Sequence, residues 1–168
     1  MVIPVEKPFF GNPSDLQTES QTARILIVDD DAPLRRALPQ LLAQDGGSFE
    51  DWASVAESIE RLSTTQYDLI LLDYRLPDGT GLAVLDWLAS RQREEAVIMI
   101  SGEDAIDAAI GALRRGADDF VRKPYHIAQL QRTVQGALHK TALERANREM
   151  SQRLRASERL HRYLVESS

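Results

Sequence analysis

Four short aliphatic runs in this sequence each lead into a polar residue that chemistry can use. They are ILIV before Asp29-Asp30, LILL before Asp73, VIMI before Ser101, and Phe120-Val121-Arg122 before Lys123-Pro124. A buried parallel strand has the sequence of a continuous aliphatic run, and ligands of an open α/β sheet bind just beyond the carboxyl ends of its strands. The four runs therefore predict that three carboxylates, a hydroxyl and an ammonium group lie at one edge of a sheet.

Strand-like runs alternate with helix-like periodic segments between residues 24 and 122, and this alternation is typical of βαβ units and a parallel sheet. The predicted strands are 24–28, 49–53, 68–72, 96–100 and 118–122. Apolar residues with helical spacing predict helices between and after them, with these members: Leu34, Leu38, Leu41 and Leu42; Val55, Ile59 and Leu62; Leu82, Leu85 and Leu88; Ile106, Ile110 and Leu113; Ile127, Leu130, Val134 and Ala137. Ser54 is a candidate N-cap, Asp31 belongs to the start of the first helix, and Gly116 ends the fourth. The predicted fold class is α/β.

Composition and charge exclude several classes of protein. The chain contains no Cys, so it has neither a disulfide framework nor a thiolate metal site. Its net charge of −6 argues against a nucleic-acid surface, which would need clustered Lys and Arg. The apolar runs are far shorter than the roughly 18 residues of a membrane span, and residues 1–22 lack the segments of a secretion signal. We therefore expect a cytoplasmic protein whose present segment contacts neither membrane nor nucleic acid.

The residues at the predicted sheet edge resemble, in kind and order, those of the receiver domain of two-component response regulators. The resemblance covers roughly residues 24–127. It rests on Asp29, Asp30, Asp73, Ser101 and Lys123, the last followed by Pro. It implies a doubly wound (βα)5 flavodoxin-like parallel sheet with strand order 2-1-3-4-5. It also implies a phosphoacceptor switch that takes a phosphoryl group from a histidine kinase or a phosphotransfer protein, and not an enzyme that acts on other molecules.

The three carboxylates would repel one another at close range unless a cation compensates their charge. Mg²⁺ suits such a site because it binds one or two carboxylates and keeps several waters, and Mn²⁺ takes similar oxygen ligands. The resemblance implies that Asp30 and Asp73 bind the ion directly and that Asp29 binds it through water. It also implies that the backbone carbonyl of Arg75 is a further ligand.

Asp73 is the predicted phosphoacceptor. Carboxylates serve as nucleophiles that form aspartyl phosphates, and phosphoryl transfer requires mainly alignment and charge neutralisation. Lys123 offers an ammonium group and Ser101 a hydroxyl donor to the oxygens of the phosphoryl group. Acceptor, cation, ammonium and hydroxyl together predict a phosphoryl-binding site, which none of them would predict alone.

Ser101 and Phe120 correspond to the two residues that switch in receivers, where a hydroxyl moves toward the phosphoryl group and an aromatic ring rotates inward. This sequence departs from the commoner pattern, with Ser in place of Thr and Phe in place of Tyr. Because the Phe ring has no hydrogen-bonding tip, packing alone would have to drive its rotation, and a permanently buried ring is the alternative. Arg75 and Glu103 flank the predicted site. They either pair across it and lengthen the phosphoryl lifetime or remain solvated.

The segment from about residue 127 onward has a helix-forming composition. Along it Leu143, Met150, Leu154 and Leu164 recur with 4-3 spacing, which is typical of a coiled coil. Asn147, Ser157 and His161 interrupt the same seam, so a parallel coiled-coil homodimer and a solvated, weakly associating helix both fit.

The predicted organisation has three parts. Residues 1–22 form a flexible leader, 23–138 the receiver domain, and 139–168 a helical linker that leads to an output domain outside this sequence. The last residues of the linker also resemble the amphipathic helix that precedes PAS sensor domains. A PAS, cyclic-dinucleotide or kinase output would be compatible with such a linker.

Two other functions compete with a phosphorylated switch. One is a receiver-like scaffold that dimerises without being phosphorylated. The other is a phosphatase of the haloacid dehalogenase type, which also uses an Asp nucleophile, Mg²⁺ and Lys. That enzyme needs a second Asp two residues after the nucleophile, and Arg75 at this position argues against it.

Overall fold

The structure is a computed structural model that describes residues 22–43, 46–102 and 105–166. Its strands are β1 Ala23–Val28, β2 Gly47–Trp52, β3 Leu69–Asp73, β4 Arg75–Leu76, β5 Gly79–Thr80, β6 Ala96–Ser101 and β7 Asp119–Arg122. Its helices are α1 Ala32–Leu42, α2 Val55–Thr64, α3 Leu82–Ser90, α4 Ala105–Arg114 and α5 Ile127–Glu166. The predicted alternation of strands and helices is confirmed, and the two-residue hairpin β4–β5 is an addition that the sequence did not predict.

The five long strands form one parallel sheet in the order β2-β1-β3-β6-β7. Counted along the chain without the hairpin, this is the predicted order 2-1-3-4-5. The three central strands are almost entirely buried, which explains their continuous aliphatic sequences. The order reverses at β1, so the crevice beyond the carboxyl ends of β1 and β3 is the topological switch point, where open α/β sheets bind ligands.

Alternate strand residues face two separate hydrophobic layers, as the twofold period of a strand requires. Leu26, Ile70 and Val97 pack in one layer with apolar residues of α2, α3 and α4. Ile25, Leu69 and Ile98 pack in the other with residues of α1 and α5, among them Leu38, Leu130 and Val134. Helices therefore cover both faces, and the doubly wound fold is confirmed.

Side chains cap the first two helices where the sequence predicted. The Asp31 carboxylate accepts a hydrogen bond from Leu34 N at 3.1 Å, and the Ser54 hydroxyl accepts one from Glu57 N at 3.2 Å. The Asp78 carboxylate, from the β4–β5 turn, adds bonds from Val55 N and Ala56 N at 2.8 and 2.9 Å. The cap of α1 places the loop between β1 and α1 directly at the switch point.

The apolar stripe that predicted α4 does not face the core. Ile106, Ile110 and Leu113 are exposed, whereas Ala108 and Ala112 are buried. The helix itself is as predicted, but its small residues form the packed side, because they allow close approach to β6 and β7. The larger apolar residues are thereby left on the outer face.

Helix α5 runs without interruption for 40 residues, or about 60 Å. Its first turns pack on the sheet through Leu130, Val134, Ala137 and Thr141. Beyond them, Arg145 pairs with Asp68 and Arg148 with Glu94. The rest of the described helix is exposed. The 40-residue length of α5 confirms the predicted long C-terminal helix. Among the described residues, no helix has both the length and the apolar character needed to cross a bilayer.

Candidate functional site

Neighbouring strands deliver the predicted site residues to the same level of the sheet. Val28 pairs in register with Leu72, so Asp29 and Asp73 follow at matching positions of adjacent strands. Ser101, the last residue of β6, lies opposite Arg122 of β7, directly before Lys123. The register of a parallel sheet thus brings residues 22 to 94 positions apart in sequence to one edge.

Three carboxylates meet at this edge. One oxygen each from Asp29, Asp30 and Asp73 lies within 4.8 Å of the others. Asp29 and Asp73 are 3% and 7% exposed, whereas Asp30 is exposed to solvent. This all-oxygen, negatively charged set fits a hard divalent ion such as Mg²⁺, which is held by few protein ligands and keeps water on its open side.

Lys123 bridges two of these carboxylates. Its Nζ lies 3.4 Å from Asp29 Oδ2 and 3.4 Å from Asp73 Oδ2. Its backbone N–H donates to Ser101 O at 2.7 Å, and a cis peptide bond joins it to Pro124. Burial alone would lower the pKa of Lys123, but the charges of Asp73 and Asp29 outweigh burial and raise it. The ammonium group therefore stays protonated at neutral pH.

The Asp73 carboxyl group has an unusually high pKa. Burial is the largest cause and the charge of Asp29 the second, and together they raise the pKa of Asp73 from 3.8 to about 6. The charge and hydrogen bond of Lys123 and the N–H of Arg75 act in the opposite direction. Around pH 6 the carboxyl group is partly protonated, and a bound cation would favour its ionised form.

The raised pKa of Asp73 predicts a pH dependence of stability without metal. In the folded state Asp73 holds its proton up to about pH 6, whereas in the unfolded state it loses the proton near 3.8. The folded state therefore binds more protons between these values, and this contribution to the free energy of unfolding falls as the pH rises through that window. We expect denaturant titrations in EDTA to show this loss in the unchanged protein relative to Asp73→Asn. Parallel curves for the two proteins would contradict the prediction.

The structure describes three of the remaining predicted site residues. Ser101 is buried beside Lys123, and Phe120 is partly buried against the core layer of α2, α3 and α4. Arg75 is exposed in the hairpin strand β4. Glu103 lies outside the described residues, so its predicted pairing with Arg75 stays a prediction.

Gly81, directly before α3, must be glycine because the backbone of Asp73 lies very close to it. A Cβ atom at Gly81 would lie 2.6 Å from Asp73 O and 2.9 Å from Leu72 Cγ. The φ of Gly81 is −58°, so the requirement is space and not backbone conformation. Sequence patterns reveal conformational glycines in turns, but they carry no signal for such a close approach.

Gly81→Ala is therefore expected to lower the free energy of unfolding by about 1–3 kcal/mol, because the new methyl group must displace the backbone that carries Asp73. Gly136→Ala is the matched control. Nothing lies within 4 Å of a Cβ at this exposed helical position, so the substitution should stabilise α5 by about 0.5–1 kcal/mol. Urea denaturation of both variants measures the difference. Equal stability of the Gly81→Ala variant and the unchanged protein would contradict the argument.

Arg35 of α1 is a second residue that the sequence analysis missed. Its Nη1 donates to the backbone carbonyl of Asp29 at 2.7 Å, and its Nε donates to Asp51 Oδ2 at 3.1 Å. The sequence shows only one more charged residue on the polar side of a helix. The contact with a backbone carbonyl leaves no pattern from which it could be predicted.

Comparison with known proteins gives a consistent family. The sequence profile of the response regulator receiver domain matches residues 25–135. The chain is 36% identical over 115 residues to the response regulator protein PilR of Pseudomonas aeruginosa, covering 68% of this chain and 26% of that protein. It is 29% identical to the transcriptional regulatory protein PmrA of Pectobacterium parmentieri, covering 70% of this chain and 53% of PmrA. The chain thus spans about a quarter to a half of these curated relatives.

Solved structures show the same fold. The signal receiver domain of a putative Luxo repressor protein from Vibrio parahaemolyticus superposes with a TM-score of 0.71 at 27% identity, covering 74% of this chain and 96% of that one. NtrX from Brucella abortus superposes with a TM-score of 0.70 at 30% identity, covering 77% of this chain and 29% of NtrX. The likeness covers the sheet and its helices and leaves about a quarter of this chain outside it.

Proposed function

Because the chain belongs to the response regulator receiver domain family, we propose that Asp73 accepts a phosphoryl group from a histidine kinase or a phosphotransfer protein in the cytoplasm. The observation that carries the proposal is the position of Asp73. It ends a central strand at the switch point, within 4.8 Å of two other carboxylates and 3.4 Å from the ammonium group of Lys123. The protein then acts as a switch and not as an enzyme on other molecules.

In the transfer, an oxygen of the ionised Asp73 carboxylate bonds to phosphorus as the bond from phosphorus to the donor nitrogen breaks. The electron pair of that bond stays on the donor's histidine. Lys123 neutralises negative charge on the phosphoryl oxygens, and the Ser101 hydroxyl donates a hydrogen bond to another of them. This chain therefore contributes the nucleophile, its alignment and the positive charge of Lys123.

The acidic cluster is the proposed metal site. Asp30 and Asp73, with Asp29 through water and the backbone carbonyl of Arg75, would hold Mg²⁺ or Mn²⁺. When bound, the ion supplies charge neutralisation that lets a buried carboxylate and an incoming phosphoryl group approach each other. The high pKa of Asp73 supports this role, because burial and the charge of Asp29 both disfavour the ionised carboxylate and a cation would offset them.

Two pairs of residues tune the switch in this proposal. Ser101 moves toward the phosphoryl group, and Phe120, which is only partly buried, repacks inward beside it. Arg75 and Glu103 limit the access of water and lengthen the phosphoryl lifetime. These roles follow from the family resemblance.

Helix α5 is the proposed route to the output, through a parallel homodimer. Successive residues of an α-helix are rotated by about 100°. Arg145 and Arg148 therefore lie on the same side as buried Thr141, whereas Leu143 and Met150 lie on the opposite side. A second helix can pack on the seam of Leu143, Met150, Leu154 and Leu164 without displacing the ion pairs that hold α5 to Asp68 and Glu94.

Leu154→Glu is expected to weaken this dimer, because it places a charge in the apolar seam. Gln152→Glu is the matched control. Like Leu154, Gln152 is exposed, but it lies about 20° around the helix from Thr141, on the side opposite the seam. Sedimentation equilibrium with and without beryllium fluoride measures both variants. A monomeric unchanged protein at high concentration in both states would rule out the dimer.

The test of the phosphoacceptor role is to incubate the purified protein with Mg²⁺ and a small phosphodonor and to measure its intact mass. We expect a gain of one phosphoryl group that EDTA prevents. If there is no gain and beryllium fluoride fails to bind, the protein is a receiver-like scaffold. Sustained release of inorganic phosphate from a phosphomonoester substrate over many turnovers would instead favour a phosphatase.

A further inference from the structure

We propose that Arg35 is a positioning residue that holds the peptide unit between Asp29 and Asp30 and thereby sets the affinity of the acidic cluster for Mg²⁺. The inference rests on the proposed metal site. It assigns a role to a residue outside the acidic cluster, on the helix that follows it.

Arg35 links the acidic loop, residues 29–31 between β1 and α1, to the edge strand β2. Its guanidinium group reaches the Asp29 carbonyl at 2.7 Å with one nitrogen and Asp51 of β2 at 3.1 Å with another. The Arg35 side chain is only 19% exposed, whereas that of Asp51 is 47% exposed, so the bond to the Asp29 carbonyl is the better shielded from solvent of the two. The fork of donors in a guanidinium group allows both bonds at once, which the single ammonium of Lys does less well.

The Asp29 carbonyl belongs to the same rigid peptide plane as the nitrogen of Asp30. A rotation of that plane would turn the Asp30 side chain, because the N–Cα bond of Asp30 is attached to it. Other contacts hold Asp29 itself. Its N–H donates to Trp52 O at 3.1 Å, its Oδ1 accepts from Asp31 N at 2.9 Å, and its Oδ2 lies 3.4 Å from Lys123 Nζ. Arg35 thus adds the contact that fixes the peptide leading to the solvent-exposed carboxylate.

Another helical arginine that binds the same edge strand provides a control for a purely structural effect. Arg61 of α2 binds Glu50 of β2 with Nε at 2.8 Å and Nη2 at 2.9 Å. Like Arg35, Arg61 is a helical arginine that binds an acidic residue of β2, and Glu50 is the neighbour of Asp51 in that strand. In contrast to Arg35, Arg61 binds Glu50 and Tyr67, which are not part of the acidic loop.

The experiment is to measure Mg²⁺ binding by isothermal titration calorimetry for the unchanged protein and for Arg35→Met, Arg35→Lys and Arg61→Met. Loss of a residue that orients metal ligands weakens binding by about 10- to 100-fold, which we expect for Arg35→Met. Arg35→Lys should recover part of the loss, and Arg61→Met should bind Mg²⁺ like the unchanged protein. Urea denaturation in EDTA reports the loss of stability separately for each variant.

Unchanged Mg²⁺ affinity in Arg35→Met would overturn the inference, as would an equal loss in Arg61→Met. Phosphorylation of Asp73 is measured on the same preparations. If the unchanged protein binds Mg²⁺ and is phosphorylated while Arg35→Met matches it, only the positioning role fails. If the unchanged protein neither binds Mg²⁺ nor gains a phosphoryl group, the proposed function and the inference fail together.

Discussion

Asp73→Asn is expected to abolish phosphorylation of the protein by a small phosphodonor with Mg²⁺. The amide has no ionised oxygen to attack phosphorus, and it removes one of the three carboxylates that form the metal site. The substitution preserves the shape of the side chain, so the sheet should remain intact. Intact mass spectrometry after incubation with the phosphodonor measures the result, and we expect no detectable gain in the variant.

Asp31→Asn is the matched control for this loss. Asp31 lies in the loop that carries Asp29 and Asp30, but its carboxylate accepts a hydrogen bond from Leu34 N and caps α1. Asn caps helices about as well as Asp, so the variant should fold and still be phosphorylated. Phosphorylation that persists in Asp73→Asn would show that another residue accepts the group. Loss in both variants would indicate that removing any one of these acidic charges prevents phosphorylation, so that the loss would not identify Asp73 as the acceptor.

The central strands could be predicted from sequence because they are buried on both faces, which leaves an unbroken aliphatic run with a polar end. The edge strand β2 gives a weaker signal. Its sequence GSFEDW contains only partly buried and exposed residues, and its predicted start at residue 49 missed the observed start at Gly47. The orientation of α4 was also unpredictable, because two buried Ala side chains and three larger exposed ones share the helical spacing.

Most of the site could be predicted as one cluster, namely the three carboxylates, Ser101 and Lys123. Each of these residues directly ends or follows a strand, and the register of the parallel strands places the strand ends at one edge of the sheet. Gly81 and Arg35 could not be predicted. Both act on backbone atoms, Gly81 by leaving space for Asp73 O and Arg35 by binding Asp29 O. Backbone atoms are the same in every residue, so contacts with them leave no pattern in the sequence.

Lys123→Met is expected to slow phosphorylation by about 100-fold or more at saturating Mg²⁺, the loss typical of removing one preorganised donor to a developing charge. Met keeps the length of the side chain and removes its charge. The ammonium group lies 3.4 Å from both Asp29 Oδ2 and Asp73 Oδ2, so it is placed to neutralise whatever negative charge joins them. Time-resolved intact mass measurements with a small phosphodonor give the rate.

The same variant should bind Mg²⁺ at least as tightly as the unchanged protein, since a neighbouring positive charge that opposes the cation has been removed. This opposite effect on binding and rate distinguishes Lys123 from the metal ligands, whose loss should weaken both. Lys140→Met is the control, because Lys140 pairs only loosely with Asp118 at 3.6 Å and is largely exposed. An unchanged phosphorylation rate in Lys123→Met would mean that Mg²⁺ alone neutralises the transferred group. The role of Lys123 would then be to compensate Asp29 and Asp73 while the metal is absent.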